Sequence, residues 1–218
     1  VENLDFDRLD SFIDSYFTEQ DEFIGKLEQE ALKDGVPIIR RDTQQLLRFL
    51  LAAQRPERIL EIGTAVGFSA IMMAKYTPPK TQIITVEDYA PRIAQATKNI
   101  EASGFASRIK LIEGDGAKVM AGLDELFGLI FIDAAKAQYP TYFEEAKRLL
   151  CDGGILVADN CLKGGEIAES KFAVTRRNRT IHKRMREFLL EITRSPDFTT
   201  TILPIGDGVV LAVKQACI

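Results

Sequence analysis

The chain has 218 residues, 46% of them hydrophobic, with three cysteines and a formal charge of −4. That is enough apolar material for one sizeable core, while the odd, scattered cysteines, lacking a CxxC pair, exclude a disulfide framework or a zinc site. No apolar run approaches the roughly 18 residues a spanning helix needs, and the acidic opening does not read as a signal peptide, so a soluble, cytoplasmic, single-domain protein with reduced thiols and no membrane partner is expected.

Apolar periodicity predicts helices over residues 6–17 and 19–34, the second stopped by Gly35 and Pro37, and a third over 42–53 ahead of Pro56. Together they make an expected helical cap, residues 1–54, before a core spanning 55–218. In the core, strands at 58–62, 82–87, 109–113, 129–132 and 155–158 alternate with helices at 68–76, 91–103, 117–123 and 139–150. Strands that are unbroken Ile, Leu and Val runs, separated by helices, predict a parallel sheet covered on both faces. A long helix over 175–193 follows, and then the rhythm changes. Strands 199–205 and 209–214 are joined by Gly206-Asp207-Gly208, too short for a crossover helix, so these two pair antiparallel.

Chemistry-bearing residues collect at the predicted strand ends. Gly63 and Gly67, in the stretch Glu61–Ser69 between the first strand and its helix, let the backbone turn sharply and bring free N–H groups of a helix start to an anionic group. Glu87 ends the second strand, where a carboxylate accepts hydrogen bonds from both hydroxyls of a ribose. Asp115, in Gly114-Asp115-Gly116, follows the third strand within reach of an adenine amino group. Because the loop is GxxxG rather than GxGxxG, and no separate substrate domain exists, a nicotinamide enzyme is the lesser reading. Asp133 closes Leu129–Ile132, while Asp159 and Asn160 close Ile155–Ala158. Three oxygen donors at the carboxyl ends of neighbouring strands suit a hard divalent cation better than a solvated surface.

Charge is unevenly spread. Residues 171–186 carry seven Lys or Arg and no Asp or Glu, leaving −11 for the rest of the chain. On a helical wheel Ile181, Met185, Phe188, Leu189 and Ile192 face inward and Arg176, Arg179, Lys183 and Arg186 outward. A solvated face normally mixes both signs, whereas a stripe of one sign suits a phosphate backbone.

Glu61–Ser69, Glu87, Gly114-Asp115, Phe131–Lys136, Ala158-Asp159-Asn160 and Pro204–Gly208 together resemble the S-adenosylmethionine- and divalent-cation-dependent O-methyltransferases of the catechol and caffeoyl-coenzyme A type, along nearly the whole chain. Within that family, Asp133-Ala134-Ala135-Lys136 with Gln138-Tyr139, the stretch Asp159–Gly164, and the arginine-rich segment before Ser195-Pro196-Asp197-Phe198 are most similar to bacterial tRNA methyltransferases that convert 5-hydroxyuridine at the wobble position to 5-methoxyuridine. The resemblance implies a Rossmann-like class I methyltransferase fold, a mostly parallel seven-stranded sheet with its last strand reversed. It implies that Gly63, Thr64 and Ser69, in a loop with Glu61 and Gly67, hold the methionine part of S-adenosylmethionine. Glu87 would hold the ribose, Asp115 and Gly116 the adenine edge, and Ile38 the cavity entry. Asp133, Asp159 and Asn160 would ligate Mg²⁺, with Asp133 and Lys136 at the reacting centre and Lys136 as base. Arg176, Arg177, Arg179, Lys183 and Arg186 would bind tRNA, and the amino-terminal helices would roof the site and build a homodimer. A small-molecule methyltransferase acting on catechol-like or caffeoyl-like hydroxyls is the alternative, and a non-catalytic binding module is a third reading. His182 lies in the basic helix, away from every strand end, and is a poor base candidate.

Overall fold

A computed structural model describes residues 6–17 and 21–216. The cap comprises α1 (Phe6–Asp14), α2 (Glu22–Lys33) and α3 (Arg41–Gln54). The core runs β1 (Arg58–Ile62), α4 (Phe68–Lys75), β2 (Gln82–Glu87), α5 (Ala90–Ala102), β3 (Ile109–Glu113), α6 (Gly116–Ala121), β4 (Phe127–Ile132), α7 (Tyr139–Leu149), β5 (Leu150–Ala158), α8 (Arg179–Arg194), β6 (Phe198–Leu203) and β7 (Val209–Lys214). The expected first helix thus ends at Asp14, and the expected start of the second, at residue 19, falls outside the described residues. Asp21 caps α2 by accepting the N–H groups of Phe23 and Ile24, and Gly35, at φ +64°, ends that turn.

Seven strands form one sheet in the order β3-β2-β1-β4-β5-β7-β6. β1 to β5 are parallel; β7 runs antiparallel to both β5 and β6, as the short turn at Gly206–Gly208 required. Alternation along each strand feeds two cores. Ile59, Ile83, Leu129, Phe131 and Val157 pack under α2, α3, α4 and α5; Leu60, Ile62, Ile84, Ile130 and Leu156 pack under α6, α7 and α8. Full burial of each such side chain stabilises the fold by roughly 1.5–3 kcal/mol. Strand register also lines up the carboxyl ends, since Ile62 pairs with Val86 on one side and Ile132 on the other, and Ile132 with Ala158. Gly63, Glu87, Asp133 and Asp159 therefore stand in one row at the sheet edge, beside the β1/β4 switch in strand order where open α/β sheets bind ligands.

α8 shows why its wheel was nearly right. Met185, Phe188 and Ile192 are buried as expected, Ile181 and Leu189 are partly covered, and His182 joins the buried stripe because its Nε2 lies 3.0 Å from the Glu169 carbonyl. Among the described residues no helix is long and apolar enough to cross a membrane.

Candidate active site

A cavity of about 530 Å³ opens at that row, lined by Pro37, Ile38 and Ile39 from the cap and by Gly63, Thr64, Ser69, Glu87, Gly116, Asp133, Lys136 and Asn160 from the core, among others. Its volume suits a cofactor-sized ligand. The glycine loop is shaped by necessity. Gly63 sits at φ +101°, and a Cβ there would lie 2.0 Å from the Asp133 carbonyl oxygen. Only glycine permits that approach. Gly67, at φ +85°, forms the start of α4 and packs on Ala96 and Ile100 of α5, so its role is to place the helix rather than to line the cavity.

Glu87 holds this loop in position. Its Oε2 accepts the Ala65 N–H at 2.8 Å and its Oε1 the N–H groups of Asp88 and Tyr89, leaving each oxygen further lone pairs toward the cavity. Asp115 caps α6 through the Lys118 N–H at 3.0 Å and accepts Gln138 Nε2 at 3.3 Å, which holds its carboxyl below its ordinary range. Gly114, Gly116 and Gln138 supply the cavity wall at this point, with Asp115 behind them.

Glu61 lies deeper. Alternation puts it beside Thr85 of β2 on the otherwise apolar face that meets α4. The Thr85 hydroxyl donates to Glu61 Oε2 at 2.5 Å and so must accept from Thr64, whose hydroxyl is 2.5 Å away. Burial raises the Glu61 pKa to about 7, against the opposing pull of Ser69 and Thr85 and with help from the charges of Asp133 and Glu87. Its Oε1 has no partner with hydrogen-bond geometry. Thr43 Oγ1, at the rim near Gly206, is the other buried side-chain atom so placed among the described residues. Unpaired buried polar atoms are rare in folded proteins and concentrate at sites with a ligand to bind.

Asp133, Asp159, Asn160 and Lys136 lie together at the ends of β4 and β5. Lys136 Nζ donates to Asn160 Oδ1 at 3.0 Å, and the Asn160 N–H donates to Asp159 Oδ1 at 2.7 Å. Asn160 takes a left-handed φ of +57°, a conformation asparagine tolerates better than most residues. Burial, helped by the charge of Asp133, pushes the Asp159 carboxyl up to about 7. Asp133 is raised too, chiefly by burial, with Lys136 opposing and Asp207 assisting. Two crowded carboxylates and an amide oxygen are a donor set that a divalent cation would relieve of its repulsion. Among the described residues no group of three or more His, Cys, Asp or Glu gathers in this way, so the amide is essential to the set.

Sequence reasoning missed the parts that join distant segments. The Tyr139 hydroxyl lies 2.8 Å from the Asp159 carbonyl and 3.3 Å from that of Ile132, bridging the ends of β4 and β5. Asp42 of α3 accepts the Gly206 N–H at 2.6 Å, and Arg40 pairs with Asp207 at 3.8 Å, stitching the cap to the β6–β7 turn at the cavity rim.

The basic residues are exposed, but not equally available. Arg179 Nε donates to the Val174 carbonyl, Arg186 Nη1 to that of Glu169, and Lys183 sits 3.6 Å from Glu187. Arg176 and Arg177 have no acidic partner among the described residues.

A loop-and-acid cavity at the switch point of this sheet order, with a reversed β7, defines a class I methyltransferase. The profile of the family described as O-methyltransferase matches residues 14–215. A catechol O-methyltransferase of Niastella koreensis is 31% identical over 175 residues, 78% of this chain and 79% of that protein, and one of Mycobacterium tuberculosis is 34% identical over 169 residues, 74% and 76%. Among solved structures, an O-methyltransferase of Bacillus cereus in complex with S-adenosylhomocysteine superposes with a TM-score of 0.84 at 25% identity, covering 95% of this chain and 97% of that one. TomG of Streptomyces achromogenes, in complex with S-adenosylmethionine, gives 0.85 at 25%, covering 98% and 100%. This chain belongs to the O-methyltransferase family, as an S-adenosylmethionine-dependent enzyme.

Proposed function

We propose that the enzyme methylates the 5-hydroxyl of 5-hydroxyuridine at the tRNA wobble position, giving 5-methoxyuridine, with Mg²⁺ or another divalent cation held by Asp133, Asp159 and Asn160. The observation that supports an RNA acceptor is the exposed run of cations, Arg176 and Arg177 above all, on the segment that leads away from Asp159 and Asn160. When bound, the cation would lower the pKa of an acceptor hydroxyl. Lys136, fixed on Asn160 by its 3.0 Å hydrogen bond, takes the hydroxyl proton. Glu87 orients the ribose and the Gly63–Ser69 loop the methionine end, so that oxygen, methyl carbon and sulfur lie in line. Ile38 and Ile39 line the cavity from the cap with apolar side chains.

Incubation with labelled S-adenosylmethionine, Mg²⁺ and tRNA bearing 5-hydroxyuridine, beside a catechol panel, tests this reading. Labelled tRNA whose yield falls steeply with salt is the expected result; label only in phenols that is indifferent to salt refutes it. Chelator arms test the cation, and Asp159→Ala is expected to abolish cation-dependent turnover. The second reading, a small phenolic acceptor, is favoured by what the Niastella and Mycobacterium relatives are called. We also assign a cytoplasmic homodimer. Phe12, Ile13, Tyr16 and Phe17 on and just after α1 are exposed and apolar, a face that a second copy would cover. Light scattering checks it.

A further inference from the structure

The segment between β5 and α8 is braced along its backbone. Arg186 Nη1 donates to the Glu169 carbonyl at 3.3 Å, His182 Nε2 lies 3.0 Å from the same oxygen, and Arg179 Nε reaches the Val174 carbonyl at 3.4 Å. Buried Ile167 and Val174, each 3% exposed, pin it at two points. The carboxylate of Glu166 is occupied by Asn178 Nδ2 at 2.8 Å and by Lys163. A segment anchored so thoroughly has every opportunity to tuck in its apolar side chains. Phe172, between the two pins, is nevertheless 80% exposed. Lys171 Nζ stands 5.1 Å from the ring centroid on one face, and exposed Arg176 and Arg177 follow within five residues.

A lone exposed phenylalanine is ordinary on a protein surface. This one is presented by a braced backbone, with a free ring face, amid cations that have no acidic partner among the described residues. Aromatic rings interleaved with Lys and Arg are how proteins hold unpaired nucleotides, the ring taking a base and the cations the flanking phosphates. We propose that Phe172 is a stacking platform for an unpaired nucleobase of the RNA acceptor, with Lys171, Arg176 and Arg177 on the adjoining phosphates. The proposal rests on the tRNA reading above and names the part of the surface that distinguishes a single strand from a duplex.

The chain has no tryptophan, so Phe172→Trp installs a single fluorescent reporter at the platform. Titration of this variant with tRNA and with a single-stranded heptamer is expected to quench its emission, with affinity within about threefold of the parent, because the larger ring also stacks. Phe172→Ala is expected to weaken RNA binding roughly 5- to 150-fold, the range of one lost stacked base, while S-adenosylhomocysteine affinity stays within about twofold. Unquenched tryptophan at saturating RNA, an alanine variant that binds like the parent, or an equal loss for duplex RNA overturns the platform. Quenching by coenzyme A but not by RNA overturns it as well. A parent that binds and methylates tRNA beside an indifferent alanine variant refutes Phe172 alone, whereas a parent that does neither refutes the tRNA reading from which the platform follows.

Discussion

Gly63→Ala separates two costs that are usually entangled, backbone conformation and lack of space. At φ +101° an alanine is strained, and its Cβ would overlap the Asp133 carbonyl oxygen at 2.0 Å, a contact with backbone that no rotamer change relieves. Gly104→Ala is the control, because Gly104 has φ +77° but no atom within 4 Å of a new Cβ. The control loses about 1–2 kcal/mol for the left-handed conformation, or roughly 2–8 °C in Tm for a chain of this size. Gly63→Ala carries that cost plus about 1–3 kcal/mol of overpacking, because the end of β4 must move away. That displacement reaches the site, since Asp133 lies beside Lys136 and in the wall of the cavity. Differential scanning calorimetry should place Gly63→Ala below Gly104→Ala by several degrees, and isothermal titration should show S-adenosylhomocysteine affinity falling by more than tenfold in the first and remaining near parental in the second. Equal melting temperatures with intact cofactor binding would show that the loop and β4 do not meet as described.

Three further outcomes follow from the same geometry. Glu61→Gln should flatten part of the pH dependence of stability: a carboxyl raised to about 7 in the fold stays protonated where the unfolded chain ionises, so its cost is absent below about pH 4.5, grows as pH rises and is complete above about 7, on the order of 3 kcal/mol. The glutamine variant should therefore gain Tm over the parent from pH 5 to pH 8, and a difference independent of pH would contradict the burial argument. Lys136→Ala should lower kcat by about 10²–10⁴, the usual contribution of a general base, with cofactor affinity little changed; normal single-turnover methylation would remove Lys136 from that role. Asp42→Ala strands the Thr43 and Gly206 N–H groups it now accepts on its two oxygens, at 2.7 and 2.6 Å, and should cost about 2 kcal/mol, read as a Tm drop that Asp42→Asn restores only in part, since its single amide oxygen can accept one of the two.

Strand positions were legible from their runs of Ile, Leu and Val: 58–62 and 82–87 match the parallel, largely buried β1 and β2 residue for residue, and 109–113 and 209–214 match the edge strand β3 and the antiparallel β7. β5 was read too short because Cys151-Asp152-Gly153-Gly154 looks like a turn, yet the ladder already begins at Leu150, opposite Phe127, across an irregularity in register. Helix ends shifted by a few residues, as ends decided by capping and fraying do. The site was legible wherever one strand end supplies a residue, as with Glu87, Asp133 and Asp159. It was illegible wherever the contact joins segments far apart in the chain, as between Asp42 and Gly206, and where a cation's partner is a backbone carbonyl, as for Arg179 and Arg186.

The electrostatics of the cavity explain why a sulfonium cofactor suits it. Glu87, Asp88, Asp133 and Asp207 line the cavity against Arg40, Arg92 and Lys136, a near balance, while Glu61 and Asp159 stand behind the wall with pKa values raised to about 7. Burial raises both carboxyls above the ordinary range, so a positive charge in front of them favours their ionised form. A cation arriving in the cavity draws them toward the carboxylate form and is held by the charge it has induced. Methyl transfer then converts the sulfonium into a neutral thioether, and that part of the attraction disappears. The same buried acids that cost the empty fold stability therefore favour the reactive form of the cofactor over its spent form, which links the destabilised row of residues at the sheet edge to turnover.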